Sequence, residues 1–246
     1  MKGWQRRTVI VLFWLILWQI LSDQIAKPIY LVGPIETVQA LSRLTVTASF
    51  WRAVWGTLLR IGTGFGMAAM TGLLFGSLAH FLPFVAELLS PIVSLMKTVP
   101  VASFVILALI WAGAEQLALV ISFVVVFPMI YLNTMAGLDS TDQQLLEMAQ
   151  VFHISRWNRL WQIYRPAVAP YLLSACQVAL GMSWKSGIAA EVIGTPEFSI
   201  GENLYMAKVF FSTDELFAWT AVVILLSFLF EKVILWLLKQ MFTVKR

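Results

Sequence analysis

Apolar residues run along this chain in long blocks, separated by short polar breaks. The first block extends from about Trp4 to Ser22, the second from Trp51 to Phe81, and the third from Pro83 to Trp111. Further blocks cover Gln116–Ala136, Ala167–Gly194 and Leu216–Leu238. A helix needs about 20 apolar residues to cross a hydrocarbon layer of about 30 Å. The pattern therefore predicts six membrane-spanning helices. Pro91 and Pro100 interrupt the third block. A proline lacks the N–H that a helix interior requires, so this span is expected to be bent or discontinuous near Pro100.

The first block follows Lys2, Arg6 and Arg7, as in a signal peptide. What comes next, Ser22-Asp23-Gln24-Ile25-Ala26-Lys27, offers no small-x-small cleavage site. An uncleaved first helix is the expectation. Pro28, Gly33 and Pro34 then break regular structure, and Ile35–Leu44 alternates in the manner of a short surface helix. In the second span, Gly62 and Gly66 are four apart, as are Ala68, Gly72 and Gly76. Small residues at that spacing let a second backbone come close, so this helix is expected to pack through its glycines. A phosphate-binding loop is excluded: Gly62-Thr63-Gly64-Phe65-Gly66-Met67 lacks the Lys and Ser/Thr it requires.

Composition supports the membrane reading. Of 246 residues, 60% are hydrophobic and 12% charged, too few charges to cover a water-soluble surface of this size. That excludes an ordinary soluble enzyme, a disordered chain and a disulfide scaffold. The single Cys176 forms no internal disulfide. The net charge of +4 does not indicate nucleic-acid binding, because its cations gather at helix ends. With the N-terminus inside, one side carries Lys2, Arg6, Arg7, Arg156, Arg159, Arg165, Lys232, Lys239, Lys245 and Arg246. The other carries Lys27, Arg43, Arg52 and Lys208, together with the acids Glu197, Glu202, Asp214 and Glu215. Basic residues favour the cytoplasmic side, so both termini are expected inside.

The polar stretch at 137–166 is too long for a turn. Asp139–Asp142 suits a helix N-cap; Leu145, Leu146 and Ala149 then form an apolar stripe. A second helical piece is expected from Ser155, with Trp157, Leu160, Trp161 and Tyr164 at helical spacing, and Pro166 at the entry to the next span. Exposed aromatic surface on a polar stretch marks a partner site or the membrane interface. The D-x-x-D spacing of Asp139 and Asp142 has no second acidic cluster to hold Mg²⁺ and a diphosphate, so capping is preferred. His80 and His153 share no ligand spacing, no nucleophile set is suggested, and no metal site is expected. Arg60, Lys97, Lys185 and Glu191 lie in or near apolar runs, where charge is expensive and faces a cavity or a partner. Lys97 and Lys185 could draw an anion or serve as structural pairs, and Arg60 could pair with an acid. Glu191 reads as a site residue or an inter-helix hydrogen bond, and Trp184 as packing or substrate stacking.

The stretch Glu147–Pro166 resembles the signature loop of ABC-importer permeases: E-A-A, three residues, G, nine residues, I, one residue, L-P. Glu147, Ala149, Ile163 and Pro166 match, while Met148, His153 and Arg165 stand at the second Ala, the Gly and the Leu. Trp55–Phe65, Ser90-Pro91 through Pro100, Leu109–Gly113, Phe127-Pro128 through Asn133-Thr134, and Trp184–Glu191 also resemble that family, over roughly residues 50–240. The subgroup it is most similar to imports nitrate, taurine, aliphatic sulfonates and thiamine precursors.

The resemblance implies an all-α permease subunit in a prokaryotic inner or plasma membrane. Residues 1–50 would hold the first span and an outer connection, and 51–246 the permease domain. Leu146, Glu147, Ala149, Phe152, His153, Arg156, Arg159, Ile163 and Pro166 would form a coupling loop docked on two separate ATPase subunits. Glu147, Arg156 and Arg159 would give charge pairing there, and Leu146 or Phe152 apolar anchors. ATP and Mg would belong to those subunits, and this chain would carry no cofactor and no catalytic residue. A second permease copy and an extracytoplasmic solute-binding protein would complete the assembly, with Lys97, Trp184, Lys185 and Glu191 as candidates for the path. His153 would need the positive φ that Gly adopts easily. The alternative is a self-contained secondary transporter, which usually carries internal repeats and needs no docking loop.

Overall fold

The computed structural model describes residues 3–25, 27 and 29–242. Lys2, Ala26, Pro28, Lys245 and Arg246, used above, lie outside the described residues. Among the described residues every regular element is helical. In order these are α1 (Gly3–Ile25), α2 (Pro34–Thr45), α3 (Ala48–Phe81), α4 (Pro83–Thr98), α5 (Val101–Asp139) and α6 (Gln143–Val151). Then follow α7 (Arg156–Arg159), a π-helical turn (Leu160–Tyr164), α8 (Arg165–Gly194), α9 (Ile200–Val209) and α10 (Thr213–Phe242).

Among the described residues, five single helical stretches are long and apolar enough to cross a membrane: Trp4–Ile25, Ala48–Phe81, Val101–Asp139, Arg156–Gly194 and Thr213–Met241. The predicted third span is not among them because it is discontinuous near Pro100, as expected. At Val99 and Pro100 it divides into α4, which has 16 residues, and the start of α5. Proline drives the residue before it out of the helical region, and Val99 is extended (φ −68°, ψ 127°). The predicted third and fourth spans also meet inside α5. Its break is at Gly113 (φ 73°, ψ 171°), a backbone state open to glycine because it has no Cβ.

The centre of the molecule is α5, packed along α3 on one side and α8 on the other. Between membrane helices water-driven burial is absent, so close approach must supply the attraction. Gly64, Ala68, Gly72 and Gly76, spaced by four, form the buried stripe of α3. A Cβ on Gly76 would sit 2.7 Å from the Tyr131 carbonyl oxygen, and one on Gly72 would sit 2.9 Å from Ile130 Cβ. On Gly64 it would collide with the Leu119 carbonyl. Gly72 and Gly76 thus pack as expected, but Gly62 and Gly66 do not: Gly62 would only meet the Phe230 ring at 3.7 Å, and Gly66 meets nothing within 4 Å. They are rotated off the α5 face, and Gly64 holds the place assigned to them. On α8, Gly187 admits Ile61, which would lie 2.7 Å from a Cβ there.

α10 closes the far side. Trp219 stacks on Phe50 at 5.0 Å, and Phe230 lies edge-on to Trp184 at 5.8 Å. α1 stands at the margin, tied by the Trp18 Nε1 bond to the Val32 carbonyl (3.0 Å) and the Trp18–Phe217 contact. Residues 60 and 80 on α3 are 20 apart, a rise of about 30 Å. The molecule therefore has two polar ends separated by about one hydrocarbon thickness.

Gly76→Ala is expected to destabilise the detergent-purified chain by about 1–3 kcal/mol, since neither Tyr131 O nor Thr134 can retreat easily. Gly66→Ala should leave thermal unfolding unchanged or slightly later, because the new methyl meets open space and Ala favours helix. Thermal melts of the two variants side by side check this; equal melting would refute the packing stripe.

Candidate functional site

At one end of the bundle the chain leaves α5, turns through α6 and re-enters α8. Asp142 caps α6 by accepting from the Gln144 N–H at 2.8 Å, and Asp139 lies 2.6 Å from His80 Nδ1 on α3. Both acids of the D-x-x-D spacing therefore have structural partners. α6 ends in a six-residue wrap: the His153 N–H donates to the Gln150 carbonyl (3.0 Å) and the Ile154 N–H to the Ala149 carbonyl (2.9 Å). This is the left-handed helix stop that usually takes glycine. His153 adopts it with φ 47°, at a cost of about 1–2 kcal/mol.

The expected two short helices are corrected in one respect. The second is not separate: α7, the π turn and α8 form one uninterrupted helical path from Arg156 to Gly194. Pro166 is tolerated near the start of α8 because the π turn before it relaxes the bonding pattern. Ala149 and Ile163 are buried, Leu146 is half-buried, and Glu147, Arg156 and Pro166 are exposed. Phe152 is 73% exposed and Val151 75%, at the tip of the loop. Arg159 turns inward. Its Nε donates to the Ile154 carbonyl (3.0 Å) and its Nη2 to the Ala149 carbonyl (3.2 Å), so it clamps the turn. Of the three charged residues assigned to partner pairing, Glu147 and Arg156 face outward and Arg159 does not.

At the opposite end, polar groups converge from four elements. Glu191 on α8 is fully buried. Its Oε2 accepts from Thr57 Oγ1 (2.7 Å) and from the Gly201 N–H (3.2 Å). Thr57 Oγ1 in turn accepts from the Ile200 N–H at 2.9 Å. Arg60 forms an ion pair with Glu115 and lies 3.8 Å from Glu191 Oε1. It also donates to the Glu197 carbonyl (2.9 Å) and the Phe198 carbonyl (3.4 Å). Glu115 Oε1 accepts from the Glu197 N–H at 2.9 Å. The reading of Arg60 as paired with an acid fits, and Glu191 makes the inter-helix hydrogen bonds. Thr57, Glu115 and Gly201 escaped the sequence reading. Only the placement of Glu115 beside Gly113, after an apolar run, could have pointed to it.

The four path candidates separate. Trp184 is core, its Nε1 without a hydrogen-bond partner, and Glu191 belongs to the buried cluster. Lys97 on α4 and Lys185 on α8 are exposed.

Comparison with known proteins adds to this geometry. A family model described as "Binding-protein-dependent transport system inner membrane component" matches residues 68–243. The chain is 27% identical over 220 residues to the taurine transport system permease protein TauC of Escherichia coli (strain K12), covering 87% of this chain and 80% of that protein. It is 25% identical over 198 residues to the nitrate import permease protein NrtB of Synechocystis sp. (strain ATCC 27184 / PCC 6803 / Kazusa), covering 76% and 71%. A chain of a bacterial alginate ABC transporter, solved in complex with an alginate pentasaccharide-bound periplasmic protein, superposes with a TM-score of 0.59 at 16% identity. It covers 98% of this chain and 94% of that one, and this likeness shows the fold.

The turn geometry makes a prediction of its own. His153→Gly should stabilise the loop by about 1 kcal/mol, and Arg159→Ala should cost about 1–3 kcal/mol by removing the donor to the Ile154 carbonyl and the second donor to the Ala149 carbonyl. Limited proteolysis across residues 140–160 reads both: slower cleavage in the first variant, faster in the second.

Proposed function

The chain belongs to the family of binding-protein-dependent transport system inner membrane components, and from that premise we propose that it is the permease subunit of an ATP-driven importer for a small anionic solute. Separate ATPase subunits dock on the α6 turn, hydrolyse the ATP and hold its Mg. A second copy of this chain completes the path, and a solute-binding protein delivers to the end opposite the turn. The excess of Lys and Arg on the docking side supports a cytoplasmic position for that end and for both termini.

The observation that carries this reading is the exposed tip of α6. Val151 and Phe152 project from a turn held rigid by the wrap at 149–154 and by Arg159. An isolated connector gains nothing by exposing them, whereas a groove on a partner would bury both. Beyond the turn, the helical path to Gly194 has 39 residues and a length of about 58 Å. A displacement at Phe152 therefore reaches the opposite end as a rigid-body motion rather than dissipating in a loop. A carrier working alone would have no use for this arrangement.

The anionic solute rests on Lys97 and Lys185, which are exposed on the single chain and open to a path shared with a second copy. The taurine and nitrate named for the relatives share acidic oxyanion chemistry. Trp184 and Glu191, enclosed in the protomer, act through packing and positioning.

Glu147→Arg and Phe152→Asp are expected to abolish association with the ATPase subunit while leaving the chain folded in the membrane. Co-purification measures it, and retained association in both variants would overturn the docking role. Lys185→Gln should lower uptake of the transported anion about tenfold or more, through loss of the favourable charge. Unchanged uptake would remove Lys185 from the path.

A further inference from the structure

The polar cluster at the end opposite the docking turn has two halves that differ in exposure. The inner half is dry: Glu191 has 0% side-chain exposure and stitches the first residues of α9 to α3 and α8 through Thr57, Ile200 and Gly201. Its carboxylate also sits at the N-terminus of α9, where negative charge is favoured. A Cβ on Gly201 would collide with Glu191, so this joint is closed to larger residues. The outer half is wet: Glu115 is 59% exposed and Arg60 17%. Here Arg60 holds the Glu197 and Phe198 carbonyls while Glu115 holds the Glu197 N–H, so the turn before α9 is gripped on both edges. That turn contains two non-glycine residues in the left-handed region, Thr195 (φ 45°) and Phe198 (φ 53°), a conformation that persists only when its surroundings impose it. Glu115 itself stands two residues beyond the Gly113 break in α5.

We propose that Arg60 and Glu115 form a latch for transport, with Arg60 as the positioning residue, holding the 195–199 turn and α9 against the Gly113 break in the resting state and letting go once per cycle. The wet half is the part that opens, since water competes for the Glu115 carboxylate and cannot reach Glu191. The dry half stays and keeps α9 registered on α8. Glu191 Oε1 has no hydrogen-bond partner in the latched state, with Arg60 3.8 Å away. When Glu115 releases, Arg60 moves onto that oxygen, so its charge keeps a counter-ion throughout. Because α8 runs unbroken to the docking turn, the latch and the ATPase subunits bias one equilibrium, and each affects the other.

The inference rests on the transporter reading, and its test separates the two. The full complex, with its ATPase subunit and binding protein, is reconstituted in liposomes as wild type, as Glu115→Gln, and as the double variant Glu115→Cys with Glu197→Cys. The native Cys176 is buried and stays in place. Glu197 contributes only backbone groups to the latch, so the double variant loses Glu115 alone until a short bis-methanethiosulfonate reagent bridges the two cysteines. Reduced, it should hydrolyse ATP about fivefold faster than wild type without solute, and Glu115→Gln should do the same. Bridged, it should lose about tenfold or more of its taurine or nitrate uptake and regain it with dithiothreitol. A working wild type whose Glu115→Gln variant and reduced and bridged double variant all behave like it would overturn the latch alone. A wild type that neither couples to its ATPase nor takes up solute would overturn the transporter reading, and the latch with it.

Discussion

Three helices at backbone distance hold this molecule together. In lipid the usual driving force for helix association is missing, because the surroundings are as apolar as the side chains. What remains is dispersion and hydrogen bonding at short range, and both require that nothing intervene. Gly64, Ala68, Gly72 and Gly76 on α3 and Gly187 on α8 leave the space that carbonyls and side chains of α3 and α5 occupy. The polar interior depends on that approach. Thr57, Ser122, Ser183 and Glu191 could not be buried unless their partners were already within bonding distance.

The same close packing makes the two polar ends mechanically one. The turn after α6 is stiff because its left-handed stop is closed by two backbone bonds and an inward-facing arginine. At the opposite end Glu191 is buried and Glu115 is exposed to solvent. Between them, α8 carries no break, while α5 is broken at Gly113 and the chain at Pro100. On the proposed function, motion delivered at the turn would travel along α8 and be absorbed at those two breaks.

Much of this was legible in the sequence. The apolar blocks located four of the long helices closely, and the stretch from Glu147 to Pro166 pointed to the turn between α6 and α8. His153 was recognised as a residue forced into a glycine's conformation, which its φ of 47° bears out. The sequence reading failed where three dimensions decide. Spacing by four marked Gly62 and Gly66 as readily as Gly64 and Ala68; only the rotation of α3 against α5 separates them. Charge alone marked Arg159 as a docking residue, although the carbonyls it satisfies lie five and ten positions away. The His80–Asp139 pair and the Arg60 cluster join residues 55 to 138 positions apart, beyond the reach of any local pattern. The Gly113 break, unlike the one at Pro100, had no proline to announce it, so the join of the third and fourth apolar blocks inside α5 was not legible.

The central claim is that the tip of α6 is buried by an ATP-hydrolysing partner. A photo-reactive amino acid placed at Phe152, in membranes containing the whole transporter, tests it most directly, with Met70 on the exposed face of α3 as the comparison site. The account predicts that Phe152 cross-links to the ATPase subunit and Met70 does not. Cross-linking from Phe152 to lipid alone, or equally from both positions, would contradict it.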